Sequence, residues 1–325
     1  VDFPWRPANC IQPTGLPDAI PAANAFYDMS DPVRRDLQRR YIRRCLDALG
    51  DHRNVVHLTA QEYTGPLPFV QFWMDAIAEW ERDTGKDVCV GLGAPKDVQD
   101  AILADPVRGE QVDVIDLRCW WRRADGSECA PDGGNELPGR GIESGAQQAE
   151  ETSPEQLYRK VRAYRDRYPD KAIIDAVNAD RVMHWAFFMG GGSLLVRGQI
   201  CYADEADPLA YEQPAGVDVI LPSYRFIREH LAERLVRMRP ADGVVAADGE
   251  VWCLAEPGET YLVYLPSGGP CRVTLAGAET TAYRARWFDP ETGEIAEASE
   301  EPVPSGEHAF ACPDGADRAL LIERI

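Results

Sequence analysis

Between Asp31 and Arg239 the chain alternates between two periods, and this alternation limits the fold more than any other feature. Stretches with apolar residues every three or four positions alternate with short runs rich in Val, Ile and Leu. The spacing predicts helices over 32–49, 66–84, 97–104, 153–168, 180–189 and 223–238. It predicts strands over 54–59, 87–93, 112–118, 171–176 and 193–196. Asp31-Pro32 is a start signal, with Asp31 as N-cap and Pro32 at the first helical position. Gly85 is a stop signal. Strands joined through helices run parallel with right-handed crossovers, so this part is α/β. Beyond Asp242 the helical period disappears. Short strand candidates such as VWCL, YLVYL, CRVTL, YRARWF and ALLI follow, separated by Gly- and Pro-containing turns. That pattern predicts a small antiparallel β-sandwich without helices. The expected division is 1–240 and 241–325, with the boundary near Pro240-Ala241-Asp242-Gly243.

Five strands are too few for a closed (β/α)8 barrel, which needs eight. Residues alone leave two readings open. Either the chain enters a barrel after its third strand, with the first three βα units absent from this sequence, or it forms an open five-stranded α/β sheet.

Charge narrows the function. The chain has 325 residues and a formal net charge of -20, with a pI near 4.7. Nucleic-acid binding needs a basic stripe against phosphates, and none stands out. The run Arg34, Arg35, Arg39, Arg40, Arg43 and Arg44 is expected on the solvated face of an amphipathic helix. Val33, Leu37, Tyr41, Cys45 and Leu49 would form its apolar face. No apolar run approaches a membrane span, and no signal peptide is visible at the N-terminus, so the sequence assigns no compartment. It assigns no oligomeric state either. The nine cysteines show no metal-ligand spacing and read as buried thiols. No metal or cofactor is implied. The Gly190 to Gly192 run lacks a phosphate-binding frame and reads as a tight turn.

Ligands meet parallel sheets at the carboxyl ends of their strands. Those ends carry Gln61, Glu62 and Tyr63; Lys96 and Asp97; Asp116, Arg118, Trp120 and Trp121; and Asp175, Asn178 and Asp180. Carboxylates can protonate a glycosidic oxygen or stabilise an oxocarbenium ion, and indole faces stack on sugar rings. Each candidate also has a plainer reading. Glu62 could cap the next helix, Asp116 could pair with Arg118, and Asp175 could meet a basic neighbour. Lys96-Asp97 fits a solvated helix start. Trp120 and Trp121 could be loop packing.

The segments PWRPANCIQPTGLP, FYDMSDPVRRDLQRRYIRRCL, NVVHLTAQEYTGPLPFVQFW, KDVQDAILADPVR and VDVIDLRCWW carry a resemblance. From about Pro4 to Arg239 the chain resembles glycoside-hydrolase-like (β/α)8 barrels. These belong to the large retaining clan of cellulase-like and apiosidase-like enzymes, and a bacterial branch of it is most similar. TYLVYLP and RWFDPETGEI resemble the collagen-binding-type β-sandwich often appended to such barrels. The resemblance favours the incomplete barrel over the open sheet. It implies an acid/base at Glu62, with Gln61 in place of the clan's usual Asn. It implies a nucleophile at the end of the strand that finishes in Asp175, where the clan has Glu; Asp116 is the second candidate. Gln61, Tyr63, Lys96, Arg118, Trp120 and Trp121 would bind a carbohydrate. The alternatives are a catalytically silent carbohydrate-binding relative and a structural or adhesive protein centred on the sandwich.

Overall fold

The computed structural model describes residues 5–18, 23–60, 66–129, 152–176, 180–196, 201–204, 207–212 and 219–325. The chain folds as two units, Val1–Glu151 with Tyr168–Ala176, and Thr152–Arg167 with Val177–Ile325.

In the first unit, helix α1 (Pro32–Leu49) leads to strand β1 (Val56–Leu58). Helix α2 (Leu67–Thr84), strand β2 (Cys89–Gly93), helix α3 (Lys96–Ala104) and strand β3 (Val114–Asp116) follow. Strand β4 (Ala172–Ala176) completes the sheet of this unit. Its order is β1-β2-β3-β4 and every pairing is parallel, as the alternation of helices and strands requires. The predicted ends hold. The Asp31 carboxylate accepts from the backbone N–H groups of Val33 and Arg34. Gly85 caps α2 at φ 68°, a left-handed position where a side chain would be strained.

The burial of α1 is rotated from the expected face. Arg34, Gln38, Ile42 and Leu46 are buried. Val33, Tyr41 and Leu49 are exposed. Arg34 is therefore not a solvated cation. Its guanidinium lies 3.1 Å from the Asp28 carboxylate and 3.3 Å from that of Asp31, and it also donates to the Gly15 carbonyl. Gln38 accepts from Trp73 Nε1 at 3.2 Å and donates to the Phe26 carbonyl. Much of the remaining run is matched within this unit: Arg39 with Glu79, Arg40 with Asp36, and Arg43 with Asp83. These contacts leave a mixed surface rather than a basic stripe.

The second unit contains helices α4 (Pro154–Arg167), α5 (Arg181–Met189) and α6 (Leu221–His230). The last is shorter than its sequence pattern. The Gly190 to Gly192 turn follows α5. The Arg165 guanidinium donates twice to the Gly191 carbonyl, at 2.9 and 2.7 Å. A Cβ on Gly192 would run into the Phe187 ring.

The sandwich is present and entirely antiparallel. Strands β5 (Val245–Ala247), β8 (Cys271–Leu275) and β11 (Gly306–Phe310) form one sheet in the order β5-β8-β11. The other sheet holds β6 (Trp252–Glu256), β7 (Thr260–Leu265), β9 (Ala282–Phe288), β10 (Ile295–Glu297) and β12 (Arg318–Arg324). Its order is β6-β7-β12-β9-β10, extended by Arg239–Pro240 beside β6 and Val303–Pro304 beside β9.

This larger sheet is buried on both faces. Cys253, Tyr261, Val263, Ala285, Trp287, Leu320 and Ile322 pack in one core with Cys271, Val273 and Phe310 of the smaller sheet. Trp252, Leu254, Leu262, Tyr264, Phe288, Ala319 and Leu321 pack in a second core with Tyr158, Trp185, Met189, Phe226 and Leu231. Helices α4, α5 and α6 thus cover a sheet expected to be helix-free. The Trp185 ring stacks on Tyr264 at 4.7 Å and 5°, and Phe226 stacks on Phe288 at 4.0 Å. Polar anchors flank the rings. The Arg181 guanidinium grips the Asp317 carboxylate at 2.7 and 3.0 Å, and Tyr264 donates to the same carboxylate at 2.8 Å.

Candidate functional site

The carboxyl ends of β1 to β4 define the rim on which the sequence candidates were expected. The register decides which residues meet there. Gly93 pairs with Asp116, and Asp116 pairs with Ile174. Partners across a ladder share a face, and neighbours along a strand alternate. Asp116 therefore projects on the face of Gly93 and Ile174. Asp175 projects on the opposite face, in line with Leu92, Ile115 and Ile173. Both carboxylates are fully buried. Nearness in sequence to one rim does not place these two on the same side of the sheet.

Asp116 is held closely. Arg118 Nε lies 2.6 Å from its Oδ2, and the Arg118 backbone N–H donates to Oδ1 at 3.1 Å. The Nε–H does not point along the short contact, so this is an ion pair rather than a linear hydrogen bond. Burial pushes the Asp116 carboxyl above its ordinary value. Arg118 opposes the shift through charge and hydrogen bonding, and the Asp175 charge adds to it.

A polar residue on α3 organises the same rim. Gln99 is fully buried. Its Nε2 donates to the carbonyls of Leu92 at 3.2 Å and Asp116 at 2.9 Å. Its Oε1 accepts from Trp120 Nε1 at 3.2 Å. Gln99 thereby ties the ends of β2 and β3 to an indole. Sequence reasoning missed it, although an amide between Val98 and Ile102 on an apolar helix face was the available signal. Thr59 was missed as well. Its hydroxyl donates to the Gly93 carbonyl at 3.0 Å and accepts from the Gly93 N–H at 3.2 Å. A Cβ at Gly93 would collide with the Ala60 carbonyl, so glycine lets the chain leave β1 directly over β2. Those bonds fix the chain up to Ala60. Gln61, Glu62 and Tyr63 come next and lie outside the described residues, as does Asn178.

Lys96 opens α3 and is part-buried. Its Nζ is 2.6 Å from the Asp100 carboxylate, 3.7 Å from that of Glu128, and 5.5 Å from the Trp120 ring centre. Trp120 and Trp121 are 1% and 4% exposed, so neither offers an open indole face in this structure. Asp180 serves as N-cap of α5 in the second unit, accepting from the Met183 N–H. The first unit thus brings together Asp116 with Arg118, and Lys96 with Trp120.

The described residues contain no group of three His, Cys, Asp or Glu side chains placed to hold a metal ion. Nor do they include a helix long and apolar enough to cross a membrane.

The fold, a parallel α/β sheet accompanied by a β-sandwich, is one that TIM-barrel glycoside hydrolases have. Solved structures share it. One titled "Glycoside hydrolase" matches with a TM-score of 0.59 at 14% identity, covering 89% of this chain and 69% of the other. A glycoside hydrolase family 5 protein from Bacteroides vulgatus ATCC 8482 matches with a TM-score of 0.56 at 18% identity, covering 89% and 67%. Identities this low establish the fold alone. The chain belongs to the family described as "Domain of unknown function (DUF6298)", whose model matches residues 1–205. Residues 240–323 match the model described as "Putative collagen-binding domain of a collagenase". No curated protein matches the chain.

Proposed function

We propose that this chain is a carbohydrate-active hydrolase that cleaves glycosidic bonds of an oligosaccharide or polysaccharide at the carboxyl rim of β1 to β4. The observation that carries the reading is Asp116: a fully buried carboxylate at the end of a parallel strand, raised above its ordinary value by burial, in the fold of glycoside hydrolases. Buried, perturbed acids at that end of such a sheet are candidates for chemistry.

Glu62 is the proposed acid/base. It follows the segment pinned by Thr59 and Gly93 and would deliver a proton to the leaving oxygen. Asp116 is the proposed partner that stabilises positive charge at the anomeric carbon, with Arg118 setting its ionisation. Asp175, which the resemblance placed first, is kept as the alternative partner, on the opposite face of the sheet from Asp116. Gln61, Tyr63, Lys96 and Arg118 would contact sugar hydroxyls. Trp120 and Trp121 would act as covered walls of the cleft. Residues 1–240 would form the barrel-type part and 241–325 the sandwich, a division supported by the two family matches.

One observation favours a catalytically silent carbohydrate-binding relative instead. The Asp116 charge is already answered by Arg118 at 2.6 Å. The test is hydrolysis of a panel of plant and bacterial polysaccharides by the protein, its Glu62→Gln variant and its Asp116→Asn variant. Removing a general acid should lower the rate roughly 10²–10⁴-fold. Equal activity of the protein and Glu62→Gln would refute the assignment. Saturable sugar binding without turnover in all three would establish the silent relative.

A further inference from the structure

Three thiols converge at one end of the sandwich. Cys271 is the first residue of β8 and is 2% exposed. In register it lies opposite Phe310, the last residue of β11. Cys312 follows two residues later, so it continues on the face and side of the strand that meet Cys271. Cys253 lies on the facing sheet. Cys253 and Cys271 belong to one core, and Cys312 packs against it. The segments carrying the two strand-end cysteines also run side by side. A Cβ on Gly268, three residues before Cys271, would stand 2.6 Å from the Ala316 carbonyl oxygen and 2.9 Å from that of Asp314. Those two segments, 266–270 and 311–317, are both crossovers from one sheet of the sandwich to the other.

We propose that Cys271 and Cys312 form a disulfide-forming site that ties these two crossovers together under oxidising conditions. All three cysteines are free thiols in this structure. Diagonal neighbours on adjacent strands stand slightly too far apart for a disulfide. Cys312 lies beyond the end of the β11 ladder, where the backbone can close that gap.

The chemistry balances with a small-molecule disulfide as oxidant. The part-buried Cys312 attacks oxidised glutathione as its thiolate, forming a mixed disulfide and releasing one glutathione thiolate. Cys271 then loses its proton and displaces the second glutathione. The protein gives up two electrons and two protons, and the oxidant becomes two glutathione thiols. The second step is the slow one. Burial is the main cause that pushes the Cys271 thiol up to about 12, and it persists in the mixed disulfide, where the Cys312 charge is gone. Its thiolate fraction grows as the pH rises, so closure should speed up between neutral and mildly alkaline pH.

The experiment treats the whole chain with oxidised glutathione at pH 7 and pH 9, blocks remaining thiols with an alkylating agent, and maps peptides without reduction. The expected product is a peptide pair joined through Cys271 and Cys312. It should form faster at pH 9, reopen with dithiothreitol, and raise the melting temperature by several degrees. Cys271→Ser should stop at glutathione on Cys312, and Cys312→Ser should leave Cys271 free. Persistent glutathione on Cys312 in the unsubstituted protein would overturn the proposal. So would a Cys253–Cys312 link, or alkylation of both cysteines after oxidation.

Discussion

Replacing Trp185 with alanine tests whether α4 to α6 and the sandwich form one cooperative unit. The side chain is 1% exposed, stacks on Tyr264 at 4.7 Å, and donates through Nε1 to the Ser223 hydroxyl at 3.1 Å. Two routes give the cost. Truncating a buried aromatic to alanine costs about 3–5 kcal/mol in measured series. A buried tryptophan removes roughly 200 Å² from water, which at about 25 cal/mol per Å² is about 5 kcal/mol. The routes agree near 4–5 kcal/mol. Trp185→Phe keeps most of the area and the stack and loses the hydrogen bond, a cost of about 1–2 kcal/mol. For a unit of this size each kcal/mol shifts the midpoint by about 2–4 °C. Calorimetry should therefore show Trp185→Ala melting about 8–20 °C below the parent, with Trp185→Phe only about 2–8 °C below. The helical and sandwich signals should move together. If Trp185→Ala stayed within about 3 °C, or if the sandwich kept the parental midpoint while the helices melted early, the common core would be refuted.

Two further predictions rest on the same cores and on the rim. A fragment of residues 241–325 would uncover Trp252, Leu254, Leu262, Tyr264, Phe288 and Leu321, so it should associate or bind a hydrophobic dye; a monomeric fragment that binds no dye would contradict this. Burial raises the Asp116 carboxyl, so the native state holds that proton to higher pH than the unfolded chain. Its stabilising contribution is complete below the ordinary carboxylate value and is lost as pH rises through the raised native value. Asp116→Asn should remove that slope in urea titrations across acidic pH, and a difference between the two proteins that runs the other way would sink the assignment.

How much of this was visible in the sequence depends on which physical rule each element obeys. The caps of α1 and α2 were legible because Asp31 and Gly85 act on backbone within a turn of themselves. The buried face of α1 was not, because hydrophobicity pointed to Val33, Tyr41 and Leu49 while the structure buries Arg34 and Gln38. A buried guanidinium or amide is tolerated once its partners are present, and those partners, Asp28 and Trp73, come from other segments. The helices over the larger sandwich sheet did leave a trace. TYLVYL is apolar at nearly every position, whereas a strand with one wet face alternates. An unbroken run means two covered faces, and the smaller sheet can cover only one. The site divides along the same line. That acids gather at the strand ends follows from chain order. Whether Asp116 and Asp175 share a face follows from ladder register, which a one-residue slip would invert. The register Asp116 to Ile174 turns two candidate carboxylates into one on the face of Gly93 and Ile174 and one on the face of Ile115 and Ile173. A variant that restored a carboxylate to the Asp116 face, Ile174→Asp, would then be the substitution that places two acids side by side.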